Sequence, residues 1–203
     1  MNCTFCKKPA VITQEYSGKS LCKKHFIKLT NDRIRKNITL NKLLAPKGKI
    51  AIEVSGDVKS IVVCQFLKKF SERMPLELYA LAGKTVSLKK ILNKIGIPIK
   101  SRKTKGSLLV TSETLDDVVK TTLFNLLKGK SKTRESVKIL KDIPEAEVEL
   151  YAKLNKFEFI KLKKPVKTAL MKAIESNLEK IETKHPGTKF SMNKSFKNLE
   201  KVL

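Results

Sequence analysis

Lys49-Ile50-Ala51-Ile52-Glu53-Val54-Ser55-Gly56-Asp57-Val58-Lys59-Ser60 is the stretch on which the fold turns. Its first half is a short apolar run of strand-forming residues. Its second half is a small polar turn that opens onto the helical spacing Ile61, Val62, Phe66 and Phe70. A buried strand passing at once into a helix begins a parallel-sheet unit. Just upstream, Pro46-Lys47-Gly48 breaks the chain and marks a boundary. Outward from this unit the alternation continues. A helix is expected over Asp57 to Met74, a strand over Leu76 to Leu81 and a helix over Ser87 to Lys94. A short strand Ile97-Pro98-Ile99, a strand Ser107 to Thr111 and a helix Leu115 to Leu127 come next. Pro144, favoured in a first helical turn, opens a helix Glu145 to Asn155. The pattern then predicts a strand Phe157 to Leu162, a helix Pro165 to Lys184, and a short basic helix Asn193 to Val202. This is an α/β chain with a parallel sheet and helices on both faces. Ligands in such sheets bind beyond the carboxyl ends of the strands. The Ser55–Ser60 turn would therefore set backbone N–H groups and a helix N-terminus at an anion site. Small polar residues also begin many helices that bind nothing.

The 203 residues carry 44 Lys and Arg against 19 Asp and Glu, a net charge of +25. Such a field attracts polyanions, and nucleic acid is the expected partner because neutralising phosphates releases condensed counterions. A lysine-rich thermophile surface would balance Lys with Glu, which this chain does not. Hydrophobic residues at 41% suffice for a core and exclude wholesale disorder. No run approaches the roughly 18 apolar residues of a membrane span. Met1-Asn2-Cys3-Thr4 does not read as a signal peptide, so a cytoplasmic protein without a membrane partner is expected.

Cys3-Thr4-Phe5-Cys6 and Cys22-Lys23-Lys24-His25 are two knuckles whose spacing can close a tetrahedral metal site. Tyr16-Ser17-Gly18-Lys19 between them is a hairpin turn returning the chain. Four ligands leave no open position, which points to structural zinc. Cys64 lies in an apolar helical run and reads as a core thiol. The linear organisation is thus a zinc knuckle segment 1–28, a helical linker 29–47, an α/β domain 48–186 and a basic tail 187–203. Candidate RNA-contacting residues are Lys23, Lys24, Lys28, Arg33, Arg35 and Lys36, then Lys100, Arg102, Lys103 and Lys105. Lys128, Lys130, Lys132 and Arg134 form another run, and Lys189, Lys194 and Lys197 a tail set. For each one singly, a solvated charge is the plainer reading. Aromatics are only 6% of the chain and include no Trp, so backbone binding is favoured over base stacking.

The chain resembles the TtuA/TtcA-type ATP-pyrophosphatases, the tRNA 2-thiolation proteins, almost from end to end. The motifs are Cys3, Cys6 and Leu21-Cys22-Lys23-Lys24-His25-Phe26; Leu115-Asp116-Asp117; Ile143-Pro144-Glu145-Ala146-Glu147-Val148; and His185-Pro186-Gly187-Thr188-Lys189-Phe190-Ser191. The resemblance implies a PP-loop domain, adenine nucleotide alpha-hydrolase-like and Rossmann-type, behind a small N-terminal zinc segment. It also exposes departures. The family loop Ser-Gly-Gly-x-Asp-Ser is here Ser55-Gly56-Asp57-Val58-Lys59-Ser60, so a side chain and a negative charge stand where phosphate approaches. Ser112-Glu113-Thr114 replaces Gly-His-Asn, and Lys164-Pro165-Val166 replaces Cys-Pro-Tyr. The mid-chain Cys-x-x-Cys has no counterpart in Ile97 to Gly106, and the family's C-terminal zinc ribbon has none before Leu203.

These departures lead to the expectation of a catalytically inactive homologue with a degenerate loop, zinc as its only cofactor, no iron–sulfur cluster and no ATP. It would bind structured RNA, either tRNA or ribosomal RNA. It would act as a homodimer, as a supporting subunit of an active thiolation paralogue, or as a ribosome-associated factor. The alternative is an active ATP-dependent tRNA-modifying enzyme with an altered loop, in which Asp116 and Asp117 hold Mg²⁺ while Ser55, Gly56 and Ser60 contact phosphate.

Overall fold

Ile50, Ala51, Ile52 and Val54 are all buried in β3 (Lys49–Val54), the middle strand of a five-stranded sheet. The computed structural model describes residues 1–40, 48–83, 85–129, 136–162 and 166–199. β3 pairs in parallel with β4 (Glu77–Ala82) on one edge and β6 (Leu108–Thr111) on the other. β5 (Ile99–Lys100) and β7 (Val137–Lys138) extend the sheet to the order β5-β4-β3-β6-β7. Strands paired on both edges read as unbroken apolar runs, which is why β3, β4 and β6 are plain in the sequence. Ala51, Tyr79 and Leu109 share a register and form a buried cluster on one face.

The contacts divide the chain into two compact units that interleave along it: Met1–Asp32, Leu115–Thr133 and Pro165–Leu203, and Arg33–Thr114 with Arg134–Lys164. The boundary falls within α1 (Lys23–Leu40). The second unit holds the sheet, with α2 (Val58–Ser71) packed on β3, β4 and α5 (Glu145–Leu154). α3 (Val86–Ile95) buries Leu88, Leu92 and Ile95 and stops at Gly96, whose φ of +77° is a left-handed cap that glycine adopts without strain. Arg33 pairs with Glu147 at 3.2 Å, and Asn37 donates to the Ile139 carbonyl at 3.0 Å.

The first unit holds the hairpin of β1 (Ile12–Gln14) and β2 (Lys19–Leu21), turning through Gly18 as the spacing predicts. Its helices α4 (Leu115–Leu127), α6 (Ala169–Lys184) and α7 (Thr188–Leu199) meet around Leu115, Val119, Ile174 and Leu178.

Three sequence expectations change and one strand is added. Phe157 to Leu162 is not a strand: its Ile160 N–H donates to the Gly56 carbonyl at 2.8 Å, while Glu158 and Phe159 face solvent. β7 takes the sheet edge instead, a two-residue strand too short to show a period. α6 begins at Ala169, capped by the Thr168 hydroxyl, which accepts from the Met171 N–H. α7 begins five residues before Asn193, because Glu182 reaches back to accept the N–H groups of Gly187 and Lys189. The expected linker residues 41–47 and the tail residues 200–203 lie outside the described residues.

Tyr79 is fully buried, and its hydroxyl donates to Ser107 at 2.6 Å while accepting the Thr104 N–H at 2.9 Å. Tyr79→Phe strands that N–H in the β5–β6 connection and is expected to cost about 2 kcal/mol, read as a lowered urea midpoint at unchanged m-value.

Candidate functional site

The two knuckles are assembled by local hydrogen bonds. Cys3 N–H donates to Lys8 and Cys6 N–H to Cys3, tightening the first, and Thr4 N–H donates to Ser20 of β2. The second knuckle leaves β2 at Cys22 and enters the first turn of α1, where Phe26 N–H donates to Cys22. The ligand atoms of Cys3, Cys6, Cys22 and His25 all lie within 4.8 Å of one another. Cys6 Sγ is 3.7 Å from Cys22 Sγ, and His25 Nδ1 is 3.3 Å from Cys3 Sγ and 3.4 Å from Cys22 Sγ. Desolvation pushes the Cys3 thiol up, but N–H groups of Cys22, Phe5 and Cys6 and the His25 ring outweigh it and bring it down to about 6. Cys6 receives a helpful N–H from Lys8, yet desolvation and the neighbouring Cys22 and Cys3 sulfurs hold it above the usual thiol value. Crowded thiols that share a site in this way are stabilised as thiolates by a cation. The cluster can hold a metal ion. Cys64 is fully buried, its thiol pushed up to about 12 by desolvation, as a core residue.

The second feature is the turn after β3. The strand order reverses between β3 and β6, so this turn stands at the topological switch point, where open α/β sheets bind ligands. Gly56 has φ +96°, and a Cβ there would come within 3.2 Å of Ile160 Cδ1 and 3.3 Å of Leu88 Cδ1. Both the backbone and the space require glycine. Asp57 is the N-cap of α2: its Oδ1 accepts the Ser60 N–H at 2.9 Å and the Ser55 hydroxyl at 2.8 Å. Gly56 N–H donates to Ser60 Oγ at 3.1 Å, and that hydroxyl donates to the Asp57 carbonyl at 3.1 Å. The carboxylate that stands in place of a glycine thus occupies the anion position of its own helix. Lys59 Nζ lies 3.4 Å from Glu145.

The remaining predicted residues separate. Asp116 is engaged by Lys189 at 2.6 Å, and Asp117 lies 3.8 Å from Lys120, so both carboxylates of the pair expected to hold Mg²⁺ are met by lysines. Lys189 is buried between Asp116 and Glu179, each at 2.6 Å. Desolvation alone would lower its pKa, but the two carboxylates raise it, so its charge is spent inside the protein and its place among the RNA candidates is corrected. Arg33 is likewise half-buried on Glu147. Lys23, Lys24, Lys28, Arg35, Lys36, Arg102, Lys103, Lys105 and Lys194 are exposed. Lys130, Lys132 and Arg134 lie outside the described residues, as do Lys164 and Pro165. In the sequence Glu113 stands only as a departure from the family motif; in the structure it is half-buried, accepts from Thr111 at 2.8 Å and faces Lys138 at 3.4 Å beyond β6. The sequence shows it only as the middle of Ser112-Glu113-Thr114, where the family has Gly-His-Asn; the sheet order is what brings it to the switch point.

Residues 2–27 match the family model described as the N-terminal LIM domain of 2-thiouridine synthetase TtuA. The chain is 34% identical over 90 residues to the tRNA-5-methyluridine(54) 2-sulfurtransferase of Thermotoga maritima, a match covering 44% of this chain and 29% of that protein. With the protein of the same name from Pyrococcus horikoshii it is 25% identical across the whole chain and 84% of the relative. The fold is that of the U34-tRNA thiolase NcsA from Methanococcus maripaludis, solved with its [4Fe-4S] cluster, at a TM-score of 0.87 and 22% identity over 100% of this chain and 88% of that one. The five-stranded sheet is therefore arranged as in that thiolase. Relatives named as sulfurtransferases and a thiolase overturn the expectation of a catalytically inactive chain, and none of the three is named for a ribosomal role. Among the described residues no helix is long and apolar enough to cross a membrane.

Elemental analysis of the purified chain is expected to find stoichiometric metal. Cys22→Ser should lose it and expose the β1–β2 hairpin to limited proteolysis.

Proposed function

We propose that this chain, a TtuA/TtcA-type PP-loop protein in its N-terminal segment and its fold, is an ATP-dependent enzyme that modifies tRNA by a thiolation-type reaction through an altered nucleotide loop. The observation that carries the reading is Gly56, held at φ +96° at the switch point and opening directly onto the N-terminus of α2. Phosphate would take the N–H and hydroxyl of Ser60 as Asp57 swings outward, and Lys59 would leave Glu145 for the anion. Giving up an N-cap costs about 1 kcal/mol. Micromolar binding is worth about 8 kcal/mol, so Asp57 weakens nucleotide binding about fivefold without abolishing it.

The reaction class follows from the nucleotide. A carbonyl oxygen of the tRNA base attacks the α-phosphorus, and the bond to pyrophosphate breaks. A sulfur nucleophile then attacks the base carbon, and AMP departs with the oxygen. Of the four cysteines, three belong to the metal cluster and Cys64 is buried and protonated. The sulfur therefore comes to this chain from outside, as hydrosulfide or on a separate carrier.

For the metal we read zinc. Tetrahedral zinc, with bonds of about 2.3 Å to sulfur and 2.0 Å to nitrogen, separates two thiolates by about 3.8 Å and a thiolate from an imidazole nitrogen by about 3.6 Å. The spacings of 3.7, 3.4 and 3.3 Å fit that geometry. A [4Fe–4S] cluster binds each thiolate to a different iron and spreads the ligands further. The role is structural, fastening the first knuckle to α1.

Calorimetry is expected to show micromolar Mg·ATP binding, with pyrophosphate release stimulated by tRNA and hydrosulfide. Asp57→Gly should tighten ATP about fivefold at a stability cost of a few tenths of a kcal/mol, and Gly56→Val should abolish it. No pyrophosphate release under these conditions sinks the enzymatic reading. Affinity for tRNA should fall with salt at a log–log slope of about −4, that of roughly five neutralised phosphates; a flat response removes the electrostatic claim.

A further inference from the structure

A groove of about 580 Å³ opens on the first unit between the 3₁₀ turn at Tyr16 and the α6–α7 corner. That volume falls within the range of small-ligand sites, roughly 300–1,000 Å³. Its walls are Tyr16, Phe190, Phe196 and Met192, and its rim carries His185 and Ser195. The Tyr16 and Phe190 rings stand 4.6 Å apart at 46°, a wedge and not a parallel stack. The corner is fixed from below. Gly187 takes φ +97°, leaving 3.4 Å between its missing Cβ and Tyr16, and Glu182 accepts the N–H groups of Gly187 and Lys189. Phe190, Phe196 and Met192 each turn one side to the core cluster, so the walls are held without a ligand.

The chain flanking the groove is predominantly basic. On α6, Glu175 is bound by Lys120 and Lys167, Glu179 by Lys189, and Glu182 by backbone N–H groups. Glu175 is thus neutralised by two lysines and Glu179 shares Lys189 with Asp116, while Glu182 keeps its charge on backbone N–H groups; Lys180, Lys184 and Lys194 are exposed. Glu15, beside Tyr16, is the exposed acid of the neighbouring turn. Aromatic walls below a cationic rim fit unpaired nucleobases, whose faces stack while their phosphates meet lysine. An apolar peptide would gain nothing from the lysines.

We propose that this groove takes one or two unstacked bases of a structured RNA, with the flanking phosphates on Lys184 and Lys194. It gives the RNA contact a base-stacking component that the low aromatic content had argued against. The proposal rests on the reading of the chain as acting on tRNA, and adds the place where a looped-out segment is held.

The test compares a tRNA transcript with a blunt RNA duplex of equal charge, using the full chain with its metal. Tyr16→Ala is expected to weaken tRNA about tenfold, within the range of one lost stack, and to leave the duplex unchanged; Tyr16→Phe restores tRNA binding. Ser195→Leu, an exposed helical position that fills the groove, serves where Tyr16→Ala lowers the melting temperature, and should give the same tRNA-only loss. Ultraviolet crosslinking should join RNA to peptides containing Tyr16 or Phe190. An equal loss for both RNAs, no loss for either variant, or crosslinks from this surface to protein alone overturns the groove. Unaffected tRNA binding by the variants, with tRNA-stimulated pyrophosphate release intact, overturns it while leaving the enzymatic reading standing. A wild-type chain that binds no tRNA overturns both.

Discussion

β3 is hydrogen-bonded in parallel on both of its edges, and that pairing dictates the layout of the sheet and of the crevice beyond it. A central parallel strand has no free edge, so the chain must leave it out of the plane and return through a helix. With β4 added to one side and β6 to the other, the crossovers diverge and open a crevice at the carboxyl end of β3. The turn there must reverse direction beneath Leu88 and Ile160 in very little room. Glycine at 56 meets that constraint, and at the same point it brings the backbone to the N-terminus of α2 without a side chain in the way.

Asp57 decides how the loop is read, and it has two physical identities. As a replacement for the glycine of the resembled loop it is an anion where the proposed reading puts phosphate. As a residue before a helix it is the cap that the first turn of α2 calls for, satisfying the Ser60 N–H. The two are the same interaction, because a helix N-terminus presents the same donors to a carboxylate as to a phosphate. A cap is worth about 1 kcal/mol, far less than a bound nucleotide, so on the proposed reading the self-occupied state is the resting loop and only a modest handicap. Counting departures from a motif overstated their weight, since it treated each changed residue as a lost function. The kinship with named sulfurtransferases corrects that inference.

What was legible in the sequence was local. The apolar runs of β3, β4 and β6 and the paired knuckles can be read because each signal lies within a few residues. Features that failed to show are those set by distant partners. Lys189 looked like part of a basic tail, but Asp116, 73 residues away, holds it in the interior. Phe157 to Leu162 carries strand-forming residues yet pairs with the Gly56 carbonyl, about a hundred residues upstream, instead of a strand edge. The start of α7 depends on a glutamate from the preceding helix. In each case the deciding interaction joins segments that the sequence does not show to be neighbours.

The same pairing bears on the net charge of +25. A formal charge counts every lysine equally, but Lys189, Lys120 and Lys167 are engaged by carboxylates, and so is Arg33. These pairs remove cations and anions together, so they leave the excess intact while changing where it lies. Since carboxylates are the scarcer partner, each one drawn into a buried pair leaves the surface more uniformly basic. On α6 Glu175 is held by two lysines, Glu179 shares Lys189 with Asp116 and Glu182 accepts backbone N–H groups, and the exposed cations beside the aromatic groove are Lys180, Lys184 and Lys194, with Glu15 the acid of the neighbouring turn. The ion pairs that hold the first unit together therefore leave lysines exposed beside the Tyr16–Phe190 wedge, where, on the proposed reading, a flexible, unpaired stretch of RNA is told from a uniform helix.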